Sequence, residues 1–194
     1  MDKMTAIHQN AVNKGFYDEN PSPAHCMGMI YSEMGEAINA HRSDKRMEVD
    51  IEFIVDRVDD EEFKELFEGK IKGSFREEIA DLFIRSLDFV AYGSKKKGVE
   101  ISHHHACLME RKLREEVKNF EKEAIENLTV PSQIDLMIAV TSFVRFNLGC
   151  VISALAIAVM TKLIAEAHGF DLLKYVEAKI RYNETRPRLH GKKY

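Results

Sequence analysis

Apolar side chains recur along this 194-residue chain at the spacing of an α-helix, and this periodicity constrains its fold more than any other feature. In the stretch KGSFREEIADLFIRSLDF, residues 72–89, apolar and small side chains form one stripe along a helix. The stripe consists of Phe75, Ile79, Leu82, Phe83, Ser86 and Leu87. Ser74 is a suitable N-cap, and Glu77 three residues later fits the pattern of a capping box. We therefore expect a helix that begins after Ser74 and ends near Tyr92.

The same spacing predicts further helices, and no segment alternates between apolar and polar residues as a strand would. The predicted helices are Thr5–Lys14, Ala24–His41, Ser102–Asn127, Pro131–Ala167 and Asp171–Glu184. Residues 43–73 are highly charged and predict short helices or a flexible loop. Proline is scarce, with 4 residues, so few positions are forced to break a helix. The expected fold is one all-α domain, a helical bundle over residues 1–194.

The composition argues against several classes of protein. The formal net charge of −4 disfavours general nucleic-acid binding, which needs a basic surface. Three widely spaced cysteines, with no CxxC pair, are typical of reduced thiols in a cytoplasmic protein, and because the first residues show no basic-then-apolar pattern we expect no signal peptide. The most apolar stretch, residues 148–167, contains Lys162 and Glu166, so we expect a buried helix there instead of a membrane span.

Two pairs of acidic residues lie beside apolar stripes. Glu33 and Glu36 stand in IYSEMGEAINA, and Glu78 and Asp81 repeat the same spacing of three in the stretch described first. Carboxylates are rarely placed near a core unless they are paired or hold a metal. An ordinary solvated helix face is the alternative for either pair alone. If the two helices pack side by side, all four carboxylates converge.

Four converging carboxylates predict a divalent cation. They would repel one another and raise one another's pKa values, and a cation removes that repulsion. Oxygen ligands without His or Cys nearby favour Mg²⁺ or Mn²⁺. Because Mg²⁺ usually completes its coordination with water and substrate phosphates, the set indicates phosphate-ester or anhydride chemistry.

Three segments in this order resemble a known family. SEMGEA followed by REEIADLFIR resembles the ExxE…ExxD signature of the all-α nucleoside triphosphate pyrophosphohydrolases, the MazG-like and dimeric dUTPase-like group. The C-terminal EAKIRYNETRPRLHGKKY is similar to the end of many MazG-like proteins, and IHQNAVNKGFYDE is similar to their opening helix. The resemblance covers roughly residues 4–42, 73–92 and 169–194. Two segments depart from it: the long connection between the acidic pairs, and residues 93–168, which we expect to form an added helical hairpin.

The resemblance implies hydrolysis of a nucleoside triphosphate, expected to be a deoxynucleotide, to the monophosphate and pyrophosphate. Mg²⁺ would be the cofactor, with Mn²⁺ able to replace it. The implied metal ligands are Glu33, Glu36, Glu78 and Asp81. Glu36 and Glu78 are the expected catalytic residues, with Glu36 the candidate to accept a proton from the attacking water. The resemblance also implies a homodimer or homotetramer.

Several residues could bind the substrate. Lys179 and Asn183 lie four residues apart and share a helix face, where they suit phosphate and sugar groups. Arg186 is a further phosphate candidate because a guanidinium binds phosphate in a fork geometry. His8 could approach the base. For each of these residues a purely structural or solvated position is the alternative, and Asp88 is expected to cap a helix or pair with Arg85.

Other functions are compatible with parts of the pattern. A non-catalytic helical scaffold or nucleotide-binding regulator could keep the same fold, although the intact acidic pairs disfavour it. A di-iron bundle would need ExxH motifs, and none stands beside the acidic pairs. The three consecutive histidines His103–His105 would point in different directions on a helix, so we interpret them as a surface cluster.

Overall fold

The computed structural model describes residues 3–43, 49–98, 111, 115 and 122–191, and every regular element in these ranges is helical. The first elements are α1 Lys3–Asn13, α2 Pro23–Arg42, α3 Ile51–Arg57 and α4 Asp60–Leu66, which continues into a π-helical turn, Phe67–Ile71. They are followed by α5 Phe75–Lys97, α6 Lys122–Asn127, α7 Val130–Leu148, α8 Cys150–Ala167, α9 Leu172–Thr185 and a 3₁₀ turn, Arg188–Gly191. The predicted all-α class is confirmed.

Side-chain caps fix where α2 and α5 begin. The Ser74 hydroxyl accepts a hydrogen bond from the backbone N–H of Glu77 at 3.3 Å, as the sequence predicted. At α2, the Ser22 hydroxyl accepts from the backbone N–H of His25 at 3.1 Å, and Pro23 occupies the first helical position. These starts set the register of both acidic pairs relative to the core.

The core is built around α5. This helix packs against α1, α2, α8 and α9, and its contact with α8 is the most extensive between described elements. A glycine permits that contact: a Cβ atom at Gly93 would overlap the side chain of Val151 on α8. The apolar side chains of α8 are almost all buried, so this helix forms one side of the core.

Two helix boundaries differ from the sequence expectation. α5 does not end near Tyr92 but continues to Lys97, because Gly93 is accommodated by close packing and Gly98 supplies the left-handed C-cap, with φ +62°. The predicted single helix Pro131–Ala167 is two helices. Gly149, with φ +89° and ψ 173°, interrupts the helix between α7 and α8, and the two helices pack against each other.

The charged segment between the acidic pairs is partly helical where the structure describes it. α3 and α4 lie against α9 through Arg181, whose guanidinium donates to the carbonyl oxygen of Val58 at 2.9 Å and to Asp60 at 2.7 Å. Arg181 also lies 4.2 Å from the ring centroid of Phe63, which is buried. This segment therefore supports the helix that carries the predicted substrate-binding residues.

Two further expectations concern α8 and residues 99–121. Cys150–Ala167 is the one described helix long and apolar enough to cross a membrane by length and composition, and 67% of it is buried inside the protein. This matches the expected buried helix. The His103–His105 cluster and most of the predicted helix Ser102–Asn127 lie outside the described residues, and its described end, Lys122–Asn127, is helical.

Candidate functional site

Three of the four predicted carboxylates converge. Glu33 and Glu36 on α2 and Glu78 on α5 each offer an oxygen atom, and these atoms lie within 4.8 Å of one another. α2 packs directly against α5, so the two acidic pairs face each other across one helix contact. Among the described residues, this is the group of acidic, His or Cys side chains close enough to hold one metal ion.

Burial and mutual repulsion raise the pKa values of two carboxyl groups in this cluster. Glu33 is 2% exposed, and burial together with the nearby Asp81 carboxylate raises the pKa of Glu33 to about 6. Burial, followed by the charges of Glu77 and Asp81, raises the pKa of Glu78 to about 8. Glu36 is exposed to solvent, and its carboxylate accepts a hydrogen bond from the Ser32 hydroxyl at 3.2 Å. Crowded oxygen donors whose ionisation is opposed by burial fit a hard divalent cation such as Mg²⁺ or Mn²⁺.

Arg85 already neutralises part of the cluster. Its Nε donates a short hydrogen bond to one carboxylate oxygen of Glu33. Burial alone would lower the pKa of Arg85, but Glu33 and Asp81 more than offset that effect and raise it. A carboxylate has two oxygens with several lone pairs, so Glu33 keeps acceptor capacity for a further ligand.

Asp81, the fourth predicted ligand, is held by a lysine. The Nζ of Lys179 on α9 lies 2.7 Å from Asp81 Oδ2 and also contacts the carboxylate of Glu77. Lys179 is 6% exposed; burial would lower its pKa, but Asp81 and Glu77 raise it well above the ordinary value. Asp81 therefore lies beside the three-carboxylate cluster, and the ammonium group of Lys179 links it to α9.

A cavity of about 510 Å³ opens next to the cluster. Its walls come from α1, the loop before α2, the first half of α2, the middle of α5, α9 and the segment after α9. Asp81 and Arg85 line it, and Arg85 binds Glu33 of the cluster. The three cluster carboxylates are not part of the wall, so the cluster adjoins the cavity at Asp81 and Arg85, the carboxylate end. A cavity of this size beside a cation site can hold a small phosphorylated molecule.

Three of the four predicted substrate-binding residues line this cavity. Lys179, Asn183 and Arg186 contribute to its wall from α9 and from the residue after it. The Arg186 guanidinium donates to Asn183 Oδ1 at 3.4 Å and lies over the Tyr182 ring. His8 is not part of the wall.

The C-terminal segment closes one side of the cavity. Lys14 Nζ donates to the carbonyl oxygens of Glu184 and Arg186 at 2.9 and 2.5 Å. The N–H of Leu189 donates to the carbonyl oxygen of Lys14 at 2.8 Å, and Arg188 pairs with Asp18 at 2.6 Å. The segment therefore contributes Arg186 and Arg188 to the cavity wall, with Arg188 paired to Asp18.

At the end of the cavity beyond Arg85, Asp88 forms a hydrogen bond with His8. Asp88 Oδ1 lies 2.8 Å from His8 Nδ1, and the Tyr17 ring packs edge-on against the His8 ring with centroids 5.1 Å apart. The expected pairing of Asp88 with Arg85 is wrong as a direct contact, because Arg85 binds Glu33 instead. His8 thus acts on the cavity through Asp88.

Sequence reasoning missed the role of Glu77 and Arg85. The sequence predicts that Glu77 belongs to a capping box. Its carboxylate does accept a hydrogen bond from the backbone N–H of Gly73 at 2.8 Å, and it also binds Lys179. The spacing of four between Glu77 and Asp81 indicates a shared face and could have predicted a shared cation. Nothing in the spacing indicated that the cation comes from α9.

Known proteins give no further guide to this site. Comparisons of the chain with protein-family models, with curated proteins and with solved structures find no match.

Proposed function

We propose that this protein hydrolyses a nucleoside triphosphate, with a deoxynucleotide as the expected substrate, to the monophosphate and pyrophosphate in the presence of Mg²⁺. The observation that carries the proposal is the Glu33–Glu36–Glu78 cluster, which adjoins a cavity of about 510 Å³ through Asp81 and Arg85. The cluster suits a divalent cation, and the cavity has the size and the cationic wall that a nucleotide needs.

The charges favour one orientation of the substrate. The triphosphate would lie at the carboxylate end, where Lys179, Arg85 and Arg186 line the cavity and offset the charge of the phosphates. The nucleoside would extend toward the loop before α2. When bound, Mg²⁺ would neutralise phosphate charge and lower the pKa of the attacking water.

The side chains of the site have separate roles in the proposed reaction. Glu33 and Glu78 are buried or partly buried and would hold the cation, with Glu33 kept in place by Arg85. Glu36 is exposed and can reach a solvent molecule, so it is the residue we assign to accept the proton of the attacking water. Lys179 holds Asp81 and Glu77 and would present its ammonium group to the phosphates.

The reaction balances as a simple hydrolysis. The oxygen of water forms a bond to the α-phosphorus, and the bond from that phosphorus to the bridging oxygen breaks. Pyrophosphate leaves with the bridging oxygen, and one proton passes from the water to Glu36. Lysine and arginine side chains stabilise the charge that develops on the leaving pyrophosphate.

The test is product analysis with Mg²⁺ over a panel of canonical and modified ribo- and deoxynucleoside triphosphates. We expect monophosphate and pyrophosphate, with ¹⁸O from labelled water in the monophosphate, because attack is at the α-phosphorus. Glu78→Gln should lower turnover about a hundredfold or more, since it removes a cation ligand. Glu65→Gln removes the same charge at an exposed position on α4 and should leave turnover unchanged.

The same experiment distinguishes the rival function. A folded, Mg²⁺-saturated protein that turns over no nucleotide would contradict the hydrolase and favour a nucleotide-binding or scaffold protein with this fold. Label in the pyrophosphate would contradict attack at the α-phosphorus.

We also propose that the chain assembles with a second copy of itself, as a homodimer or homotetramer. The support is an apolar surface on α7, where Phe146 is 91%, Leu148 62% and Ile138 41% exposed. Light scattering should give a mass above that of one 22.3 kDa chain, and Phe146→Glu should lower it. A monomeric wild-type protein would contradict the proposal.

A further inference from the structure

One helix connects the two ends of the cavity. Asp81 and Asp88 both lie on α5 and both line the cavity, and seven residues of helix separate them by about 10.5 Å. That separation is comparable with the length of a nucleoside. With phosphates at the Asp81 end, the base of a nucleotide would lie beside Asp88, so this step rests on the proposed function.

Neighbouring side chains fix the carboxylate of Asp88. His8 Nδ1 lies 2.8 Å from its Oδ1, and the Tyr17 ring packs edge-on against the His8 ring with centroids 5.1 Å apart. The Tyr17 ring stacks on Tyr92 with centroids 4.3 Å apart, and the Tyr92 hydroxyl donates to Asn20 Oδ1 at 2.7 Å. The side chain of Asp88 is 16% exposed, so its carboxylate has a fixed position and still reaches the cavity.

A fixed carboxylate discriminates between bases by their edge groups. An ionised carboxylate accepts hydrogen bonds and donates none, and the hydrogen bond with His8 leaves part of its lone-pair capacity unused. Cytosine, adenine and guanine each offer an exocyclic amino group as a donor. Uracil, thymine and hypoxanthine place a carbonyl oxygen or no group at the matching position, and a carbonyl oxygen would repel the carboxylate.

We propose that Asp88, held by His8, is the specificity-determining residue of the cavity and accepts a hydrogen bond from an exocyclic amino group of the base. The preferred substrates are therefore amino-bearing nucleotides. His8 is a positioning residue in this arrangement, because it acts through Asp88.

Matched nucleotide pairs isolate the amino group. GTP and ITP differ only in the 2-amino group, whereas CTP and UTP differ in the group at position 4 and in the proton that uracil carries on N3. We would measure kcat/KM for the triphosphates and, separately, the dissociation constants of CMP, UMP, GMP and IMP by calorimetry. The wild-type protein should prefer the amino-bearing member of at least one pair by about tenfold or more, in turnover and in binding.

Asp88→Asn should remove that preference, because an amide can donate to a carbonyl oxygen as readily as it accepts from an amino group. His8→Gln should weaken the preference while Mg²⁺-dependent turnover persists. Asp56→Asn makes the same chemical change on α3, outside the cavity wall, and should leave the preference intact. Circular dichroism and thermal unfolding would establish that each variant is folded.

Three results would overturn the inference: no preference in either pair, a preference for UTP and ITP, or a preference that survives in folded Asp88→Asn. Failure of the hydrolase proposal gives a different result. Amino-bearing monophosphates would then bind with the expected preference although no triphosphate is hydrolysed. If no nucleotide binds at all, both proposals fall.

Discussion

Lys179 on α9 and Asp81 on α5 form an ion pair with 2.7 Å between Nζ and Oδ2, and the same ammonium group contacts Glu77. Lys179 and Glu77 are almost completely buried, with 6% and 1% of their surface exposed. A buried lysine is stable as a cation only when carboxylates surround it. This contact joins α9 to α5 at the carboxylate end of the cavity.

Lys179→Met should destabilise the protein strongly. The substitution leaves Glu77 without its cation, and removing one partner of a buried pair typically costs about 3–5 kcal/mol. Urea unfolding measures the loss. Adding Glu77→Gln to Lys179→Met should recover part of it, because the remaining unpaired acid is then removed.

The partly exposed Lys174 supplies the control for this experiment. It pairs with Asp56 at 3.1 Å on the surface, so Lys174→Met should cost less than about 1 kcal/mol. Equal losses for the two methionine variants would contradict the role given to the buried pair.

Stability without metal should fall as the pH rises from 5 to 8.5. The pKa values of Glu33 and Glu78 are raised from 4.5 to about 6 and about 8 in the folded protein. A carboxyl group with a raised pKa contributes stability that is fully present below pH 4.5 and is lost as the pH rises through its folded-state pKa. Chemical unfolding at several pH values with a chelator measures this slope.

Mg²⁺ should reverse the effect. Because the cation binds the ionised carboxylates, its stabilisation of the folded protein should increase over the same pH range. Glu78→Gln should flatten both the metal-free slope and the Mg²⁺ response, whereas Glu65→Gln should leave both unchanged. A Mg²⁺ response that is the same at pH 5 and pH 8.5 would argue against a site built from these carboxylates.

Gly93→Ala should destabilise the protein by disturbing the packing of α5 against α8. The added methyl group would overlap the side chain of Val151, and overpacking of this kind typically costs about 1–3 kcal/mol. Combining it with Val151→Ala should relieve the overlap. Gly28→Ala on α2, where no atom lies within 4 Å of the added methyl group, should be neutral or stabilising by about 0.5–1 kcal/mol. Thermal unfolding of the wild-type protein and of these three variants measures the effects. A Gly93→Ala protein as stable as the wild type would contradict close packing at this point.

Lys14→Met should loosen the segment after α9. The Lys14 ammonium group donates to two carbonyl oxygens of that segment, those of Glu184 and Arg186. We expect faster hydrogen exchange over residues 186–191 and a higher KM for the nucleotide, because Arg186 would lose its fixed position. Lys70→Met removes an exposed cation far along the chain and serves as the control. Unchanged exchange in Lys14→Met would show that other contacts hold the segment.

Helical periodicity predicted the parts of the fold that depend on local sequence. The start of α5 at Ser74 and the shared face of Glu33 and Glu36 on α2 follow from a cap and from a spacing of three, which the chain encodes within a few residues. The sequence does not predict the break at Gly149, because the flanking residues are mostly apolar and favour a helix on both sides.

Sequence patterns did not predict the contacts between segments that are distant along the chain. The partner of Glu77 lies 102 residues away, and only the packing of α9 on α5 brings Lys179 to it. Asp88 had two plausible partners within reach, Arg85 on its own helix and His8 on α1. The choice between them depends on the Glu33 carboxylate, which draws Arg85 to α2.

Glu78, Asp81, Arg85 and Asp88 all lie on one uninterrupted helix. Their separations are therefore set by the rise of the helix and not by any loop, so the length of the cavity between its two ends is invariant to changes elsewhere in the chain. One residue inserted between Asp81 and Asp88 would rotate Asp88 by about 100° around the helix axis. Evolution or design can alter this site by exchanging side chains on α5, but not by lengthening it there one residue at a time.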